Sequence, residues 1–177
     1  LVIKSFSGKI GNAPVKGELL YFGKEEKIIG SLDIAEFAIS KDLFSKTPLK
    51  GKFEKISGKV DFLSIKGDLD GELSISNELG LKMSGDVNIV KSEDNILLKS
   101  LNLNGEDSNL RVNGIWEKDQ RISGYFYLDS LDLSRWLIEQ DATLLSGMAI
   151  LEGSINQNKA LENIELTLEV AEYGVLM

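Results

Sequence analysis

Apolar and polar residues alternate strictly through most of this 177-residue chain, punctuated by glycine, and that alternation constrains the fold more than any other feature. Side chains alternate across a β-strand, so a period of two makes a ribbon with one greasy and one wet side. In "LSIKGDLDGELSIS", Leu63, Ile65, Gly67, Leu69, Gly71, Leu73 and Ile75 share one parity, while Ser64, Lys66, Asp68, Asp70, Glu72 and Ser74 share the other. Read as one ribbon, the stretch has a wholly aliphatic or glycine face and a wholly polar one.

The same rule recurs downstream. "LKMSGDVNI" aligns Leu81, Met83, Gly85, Val87 and Ile89, and "SLNLNG" aligns Leu101 and Leu103. "LRVNGIWEK" gives Leu110, Val112, Gly114 and Trp116, and "ISGYFYL" gives Ile122, Gly124, Phe126 and Leu128. "LSGMAILEGSI" gives Leu145, Gly147, Ala149, Leu151, Gly153 and Ile155, and "IELTLEV" gives Ile164, Leu166, Leu168 and Val170. These segments follow at roughly ten-residue spacing, with turn signals at Asn104-Gly105, Glu93-Asp94-Asn95 and Lys118-Asp119-Gln120 between them. The pattern predicts an all-β, antiparallel-rich architecture. "GELLYFG" and "LFSKTPLKGKF" in the first third also read as strands, with a less defined register.

A shorter unit repeats inside the strands: apolar, any, glycine, any, apolar, as in "ISGKV" at Ile56, "IKGDL" at Ile65, "MSGDV" at Met83 and "ISGYF" at Ile122. Glycine weakens a strand interior, so its recurrence on the apolar parity predicts sheet curvature. Two segments break the alternation. "SLDIAEFAIS" at 31–40 and "SLDLSRWLIE" at 130–139 align without gaps and suggest a duplicated layout, each ending in a short amphipathic turn of helix. In the second, Leu133, Trp136 and Leu137 are spaced for one face. With so little helix, helices can cover little of the sheet.

Composition narrows the function. Hydrophobic content of 42% and charged content of 27% are those of a chain that folds into one β-rich unit spanning 1–177. With 28 acidic against 20 basic side chains the net charge is −8, which repels nucleic-acid backbones and anionic membrane surfaces. Cysteine and histidine are both absent, so disulfides, thiol chemistry, the commonest zinc ligands and the usual general base are missing from the sequence. No apolar run is long enough to span a bilayer as a helix. The start "LVIKSFSGK" carries no initiator Met or signal peptide and the end "AEYGVLM" no polar tail, so the expectation is a segment of a larger protein.

An enzyme built without His or Cys would need paired carboxylates, a Ser–Lys pair or an oxygen-held metal. The densest carboxylates, Asp68, Asp70 and Glu72, lie on the wet parity, and "DLDGE" places its glycine fourth rather than sixth for a calcium loop. Tyr125 and Tyr127 fall opposite Phe126, too few rings for a stacking platform. The sequence therefore predicts no enzyme, no cofactor and no metal site. The apolar face itself is the main constellation, and periodicity leaves two outcomes open. In a closed β-sandwich two such faces bury each other about 10 Å apart. In an open trough the inner face takes an equally apolar ligand, of which acyl chains are the obvious kind.

The run "LSGMAILEGSINQNKALENIELTLEVAEYG", from Leu145, resembles the repeat of the TamB branch of the AsmA-like superfamily, and "SNLRVNGIWEKDQRISGYFYLDSLDLSRWL" resembles that family's strand, glycine, strand and "LDLS" turn. Leu110, Val112, Gly114, Phe126, Leu128, Leu131, Leu133 and Trp136 match its apolar and turn positions, and Gly147, Leu151 and Gly153 its glycine-leucine strand. The resemblance covers the chain from about Lys59 onward. A departure is Lys159-Ala160-Leu161, where members often carry a proline before the last long strand. The resemblance implies a curved β-taco with a hydrophobic concave face, in a protein anchored in the inner membrane of a diderm bacterium and crossing the periplasm to an Omp85-type outer-membrane β-barrel. It implies carriage of phospholipid acyl chains, with assembly of outer-membrane proteins or autotransporters as the alternative. On that reading Leu63, Ile65, Leu69, Leu73, Ile75, Leu81, Met83, Val87, Ile89, Leu101, Leu103, Leu110, Val112, Phe126, Leu128, Leu145, Leu151, Ile155, Ile164, Leu166, Leu168 and Val170 line a lipid groove, with Asp68, Asp70 and Glu72 in periplasmic water.

Overall fold

The computed structural model describes residues 2–10, 13–38, 52–106, 108–138, 143–155 and 161–175. Among them, one eleven-stranded antiparallel sheet runs β1 (Val2–Ile10), β2 (Ala13–Phe22), β3 (Lys27–Phe37), β5 (Ile56–Ile65), β6 (Asp68–Ser76), β7 (Lys82–Lys91), β8 (Asn95–Asn104), β9 (Asn109–Glu117), β10 (Arg121–Asp132), β12 (Thr143–Ile155) and β13 (Leu161–Val175). Each strand pairs with the next, as short turns between alternating segments dictate. The remaining two strands, β4 (Lys52–Phe53) and β11 (Leu137–Ile138), pair only with each other. The sheet is not closed and among the described residues no second sheet of that size faces it, so the open trough is adopted and the sandwich is not.

Directly opposed residues of an antiparallel pair project from the same side of the sheet. Following the register from strand to strand therefore traces one continuous face. It runs through Val15, Ile34, Gly58, Ile75, Met83 and on through Leu73, Gly85, Leu103, Leu110 and Leu128. Beyond β10 it passes from Phe126 to Ala149 and from Leu131 to Leu145. The opposite face carries Lys59, Asp61, Glu72, Ser74, Ser84 and Asp86 and is hydrated.

The structure corrects the reading of "LSIKGDLDGELSIS" as a single ribbon. Lys66 and Gly67 form a two-residue turn with φ of 52° and 95°, the left-handed pair typical of type I′ hairpins. The register Ile65↔Asp68, Ser64↔Leu69, Leu63↔Asp70 follows from that turn and reverses the parity between β5 and β6. Leu63 and Ile65 consequently leave the face of Leu69, Leu73 and Ile75 and stand on the outer face beside Asp70 and Asp68. On β5 the inner positions are Ile56, Gly58, Val60 and Phe62. "IKGDL" is accordingly a turn and not a strand glycine unit.

The true strand glycines sit opposite bulky partners on the inner face: Gly17 against Phe6, Gly30 against Leu19 and Phe62, Gly71 against Phe62 and Val87. A missing side chain leaves room for the neighbour to lean over it, which draws the inner face together. At Gly85 the approach is closest, since an added Cβ would meet the Asn102 carbonyl.

A clasp fixes the curl. The Glu54 amide donates to the Trp136 carbonyl at 2.9 Å, two residues before β5 begins and four after β10 ends. In a flat sheet β5 and β10 stand five spacings apart, about 24 Å. The linking residues, three of them in a 3-10 turn (Leu133–Arg135), reach about 20 Å. The sheet must bend to let them meet. Accessible surface of 11775 Å², against about 8,500 Å² for a compact 19.5 kDa globule, agrees with a curved single layer rather than a filled core.

The aligned segments occupy matching places at the two walls. "SLDIAEF" lies in β3, third strand from one edge, and "SLD" of the second ends β10, third from the other. Each wall strand has a register shift and a non-glycine residue with left-handed φ, Glu36 at 53° and Ser130 at 52°. The expected helical turn forms only in the second copy, as the 3-10 turn; the first stays extended through Phe37. Residues 39–40 and "LFSKTPLKG" lie outside the described residues.

Candidate functional site: the concave apolar face

The inner face differs sharply from one end of the strands to the other. At the clasp end Leu133, Trp136 and Leu137 descend onto Ile56, Leu81, Met83, Leu103, Leu131 and Leu145 and form the core, with Leu73, Ile75, Leu101, Leu110 and Leu128 packed against it. Leu81 and Leu137 are each 2% exposed, and each such buried side chain contributes about 1.5–3 kcal/mol. Local sequence explains the descent. Asp132 caps the turn, its Oδ1 accepting from the Ser134 amide at 3.0 Å, so β10 ends and the chain crosses the trough instead of continuing along it.

At the far end nothing among the described residues covers the face. Trp116, six residues along β9 from Leu110 and about 20 Å away at the usual strand rise, is 43% exposed. Ile96, its partner across β8, and Tyr21, opposite Ile28, are also exposed. Between the clasp and this rim the floor is Leu69, Val87, Ile89, Leu98, Val112, Phe126, Ile122 and Leu151, all half-buried.

Of the residues expected to line a groove, Leu69, Leu73, Ile75, Met83, Val87, Ile89, Leu101, Leu103, Leu110, Val112, Phe126, Leu128, Leu145 and Leu151 share this one face. Leu81 joins them from the turn before β7. Leu63 and Ile65 do not. For Ile155, Ile164, Leu166, Leu168 and Val170 the side chains lie outside the described residues, while the backbone register sets Ile155 opposite Leu161, Leu166 opposite Leu151, Leu168 opposite Ala149 and Val170 opposite Gly147.

Four further residues join the inner face outside the alternation read from the sequence. Val60 and Phe62 stand on the even parity of "ISGKVDF", and the doublet Phe62-Leu63 was the signal that two faces were being mixed. Ile96 and Leu98 join the inner face because β8 bulges around Lys99, which flips the parity that Leu101 and Leu103 set.

The outer face carries the polar chemistry. Asp68 Oδ1 accepts from the Lys91 amide at 3.0 Å, and Asp70 accepts from the Asn88 side-chain amide. Tyr127 lies opposite Arg111 beside Ser100, Asn102 and Asn113 in a shallow outer groove of about 440 Å³. Ion pairs such as Lys59–Asp61 at 2.8 Å are exposed and so individually weak. Lys59 is pushed above its ordinary value by that hydrogen bond and charge. Among the described residues no group of three carboxylates is placed to hold a metal, and no helix is long and apolar enough to cross a membrane. No protein-family model, curated protein or solved structure matches the chain.

Proposed function

We propose that the trough is a non-enzymatic groove for the acyl chains of phospholipids, part of a periplasm-spanning protein of the TamB-like kind that carries lipid between inner and outer membranes toward an Omp85-type barrel. The observation that carries this reading is the inner face beyond the clasp: aliphatic and aromatic from β2 to β12, almost without a polar side chain, and uncovered. Each acyl methylene that enters such a surface gains about 0.8 kcal/mol. A lining uniform in chemistry offers no single deep trap, so a chain can slide along it.

The chain should be produced in the periplasm, purified without detergent and examined by native mass spectrometry with lipid extraction. Co-purifying phospholipid that is lost in Val87→Asp/Val112→Asp but kept in Ser74→Asp, on the outer face, is the expected result. A clean apo mass for the unsubstituted chain would overturn the reading.

The outer side of β13, a 15-residue edge strand with no partner strand among the described residues, favours a second reading, in which a strand of an outer-membrane client adds to the sheet by β-augmentation. Crosslinks from β13 to protein instead of lipid would select it.

A further inference from the structure

We propose that the clasp is a stopper: β4 and β11 shut the trough at one end, an apolar chain enters only by the Trp116 end, and passage along the full trough requires the two clasp strands to part. The inference rests on the acyl-groove reading and adds to it a direction and a gate.

Three observations carry it. First, the clasp fills the trough rather than bordering it. Trp136 and Leu137 share one buried cluster with inner-face residues from β5 to β12, and Leu73, Ile75, Leu110 and Leu128 beside it are half-buried. Second, exposed apolar side chains of the inner face stand at the opposite end. Tyr21, Ile96 and Trp116 all flank the turns distal to the clasp. A chain seeking apolar surface meets it there.

Third, the ladder that joins β4 to β11 is shorter than any in the sheet around it. It is two residue pairs, Leu137↔Phe53 and Ile138↔Lys52, against nine between β5 and β6. Short pairings with few partners open at the low end of the local stability range. The crossing arm leaves β10 just after the left-handed Ser130, where that ladder already breaks register. Asn77 holds the crossing from below, its Nδ2 donating to the Arg135 carbonyl at 2.6 Å. Beyond the core contacts of Leu133, Trp136 and Leu137, the crossing is latched to the β6–β7 turn by one side chain and to β4 by a few backbone bonds.

The chain has no cysteine, so a single engineered pair tests the idea. Phe53→Cys/Leu137→Cys joins opposed residues of β4 and β11, within disulfide reach. The probe is a fatty acid brominated at its methyl end, which quenches tryptophan on contact, read in single-tryptophan forms of this variant, Trp136→Phe and Trp116→Phe. With the disulfide closed, the stopper predicts quenching at Trp116, none at Trp136, and an affinity within about twofold of the reduced form, because a locked stopper does not alter the open end. Reduction together with Asn77→Ala should then let quenching reach Trp136.

Equal quenching of both tryptophans with the disulfide closed would overturn the stopper and leave the groove standing. A Trp136 signal that never quenches after reduction and Asn77→Ala would overturn the gate. Absence of probe binding in every form would instead sink the groove reading beneath it. Leu137→Cys removes a buried leucine, so the same quenching comparison in the unsubstituted clasp, with only Trp116→Phe or Trp136→Phe, provides the second test: Trp116 alone should quench.

Discussion

Asn77 and Arg135, 58 residues apart in sequence, meet where the Asn77 side-chain amide donates to the Arg135 carbonyl at 2.6 Å while its Oδ1 accepts from the Leu81 amide at 3.0 Å. One side chain thus ties the turn between β6 and β7 to the segment that crosses the trough. Asn77→Ala leaves both backbone groups without those partners beside the 2%-exposed Leu81, which costs about 1–3 kcal/mol. Urea denaturation should show that loss, and hydrogen exchange should quicken most at the Leu81 amide. Unchanged stability would mean that water replaces the side chain without cost.

Gly85 and Gly8 provide a matched pair. A Cβ at Gly85 would run into the Asn102 carbonyl oxygen, whereas at Gly8 nothing stands within 4 Å. Gly85→Ala must therefore push β7 and β8 apart and should destabilise by about 1–3 kcal/mol or more. Gly8→Ala should be neutral or stabilise by about 0.5–1 kcal/mol, because strand glycine carries excess entropy in the unfolded chain. Equal midpoints for the two variants in thermal denaturation would refute the close approach.

The hairpin at Lys66-Gly67 decides which face β5 presents. Asparagine tolerates the left-handed first position better than lysine, so Lys66→Asn should raise stability by a few tenths of a kcal/mol, and Gly67→Val should lower it by about 1 kcal/mol or more. Chemical denaturation measures both. The opposite order would mean that the turn is not type I′ and that Leu63 and Ile65 need not face outward.

Trp116 and Trp136 report on different ends of the trough. Trp116 is 43% exposed and Trp136 9%. Acrylamide should quench Trp116 strongly and Trp136 weakly in single-tryptophan variants, and an acyl ligand should blue-shift Trp116 emission alone. Equal acrylamide quenching would show that the clasp does not seal its end.

Glu36 and Lys55 pair at 2.7 Å beside the clasp. The hydrogen bond from Lys55, then its charge, holds the Glu36 carboxyl below its ordinary range, and the same bond and charge raise Lys55. A depressed carboxyl contributes stability above its unfolded value and loses it as pH falls through the folded value. A raised lysine contributes below its unfolded value and loses it as pH rises through the folded one. Both groups are exposed, so the contribution is small and shows at the acid and alkaline extremes, not near neutrality. Lys55→Met should return the Glu36 carboxyl titration, followed by NMR, to its ordinary midpoint; an unmoved midpoint would dissolve the pairing.

Alternation alone determined that this chain makes strands, and its turn residues determined that consecutive strands pair. That information is local: a period of two along ten residues forces two faces, and Asn-Gly or a polar triplet closes the hairpin. From Leu69 through Leu128 the inner residues were therefore readable. Leu63 and Ile65 were not, because a two-residue turn within an unbroken odd-even pattern reverses parity without changing the pattern itself. The bulge at Lys99 did the same for Ile96 and Leu98.

Whether the greasy face would be buried against a second sheet or left as a trough was decided only in three dimensions. That choice depends on how far glycines such as Gly85 let neighbouring strands lean together, and on two distant segments meeting as β4 and β11. Their meeting joins residues more than eighty apart, Phe53 and Leu137, through a two-residue ladder. No periodicity encodes such a contact, since its free energy exists only once both walls have already curled.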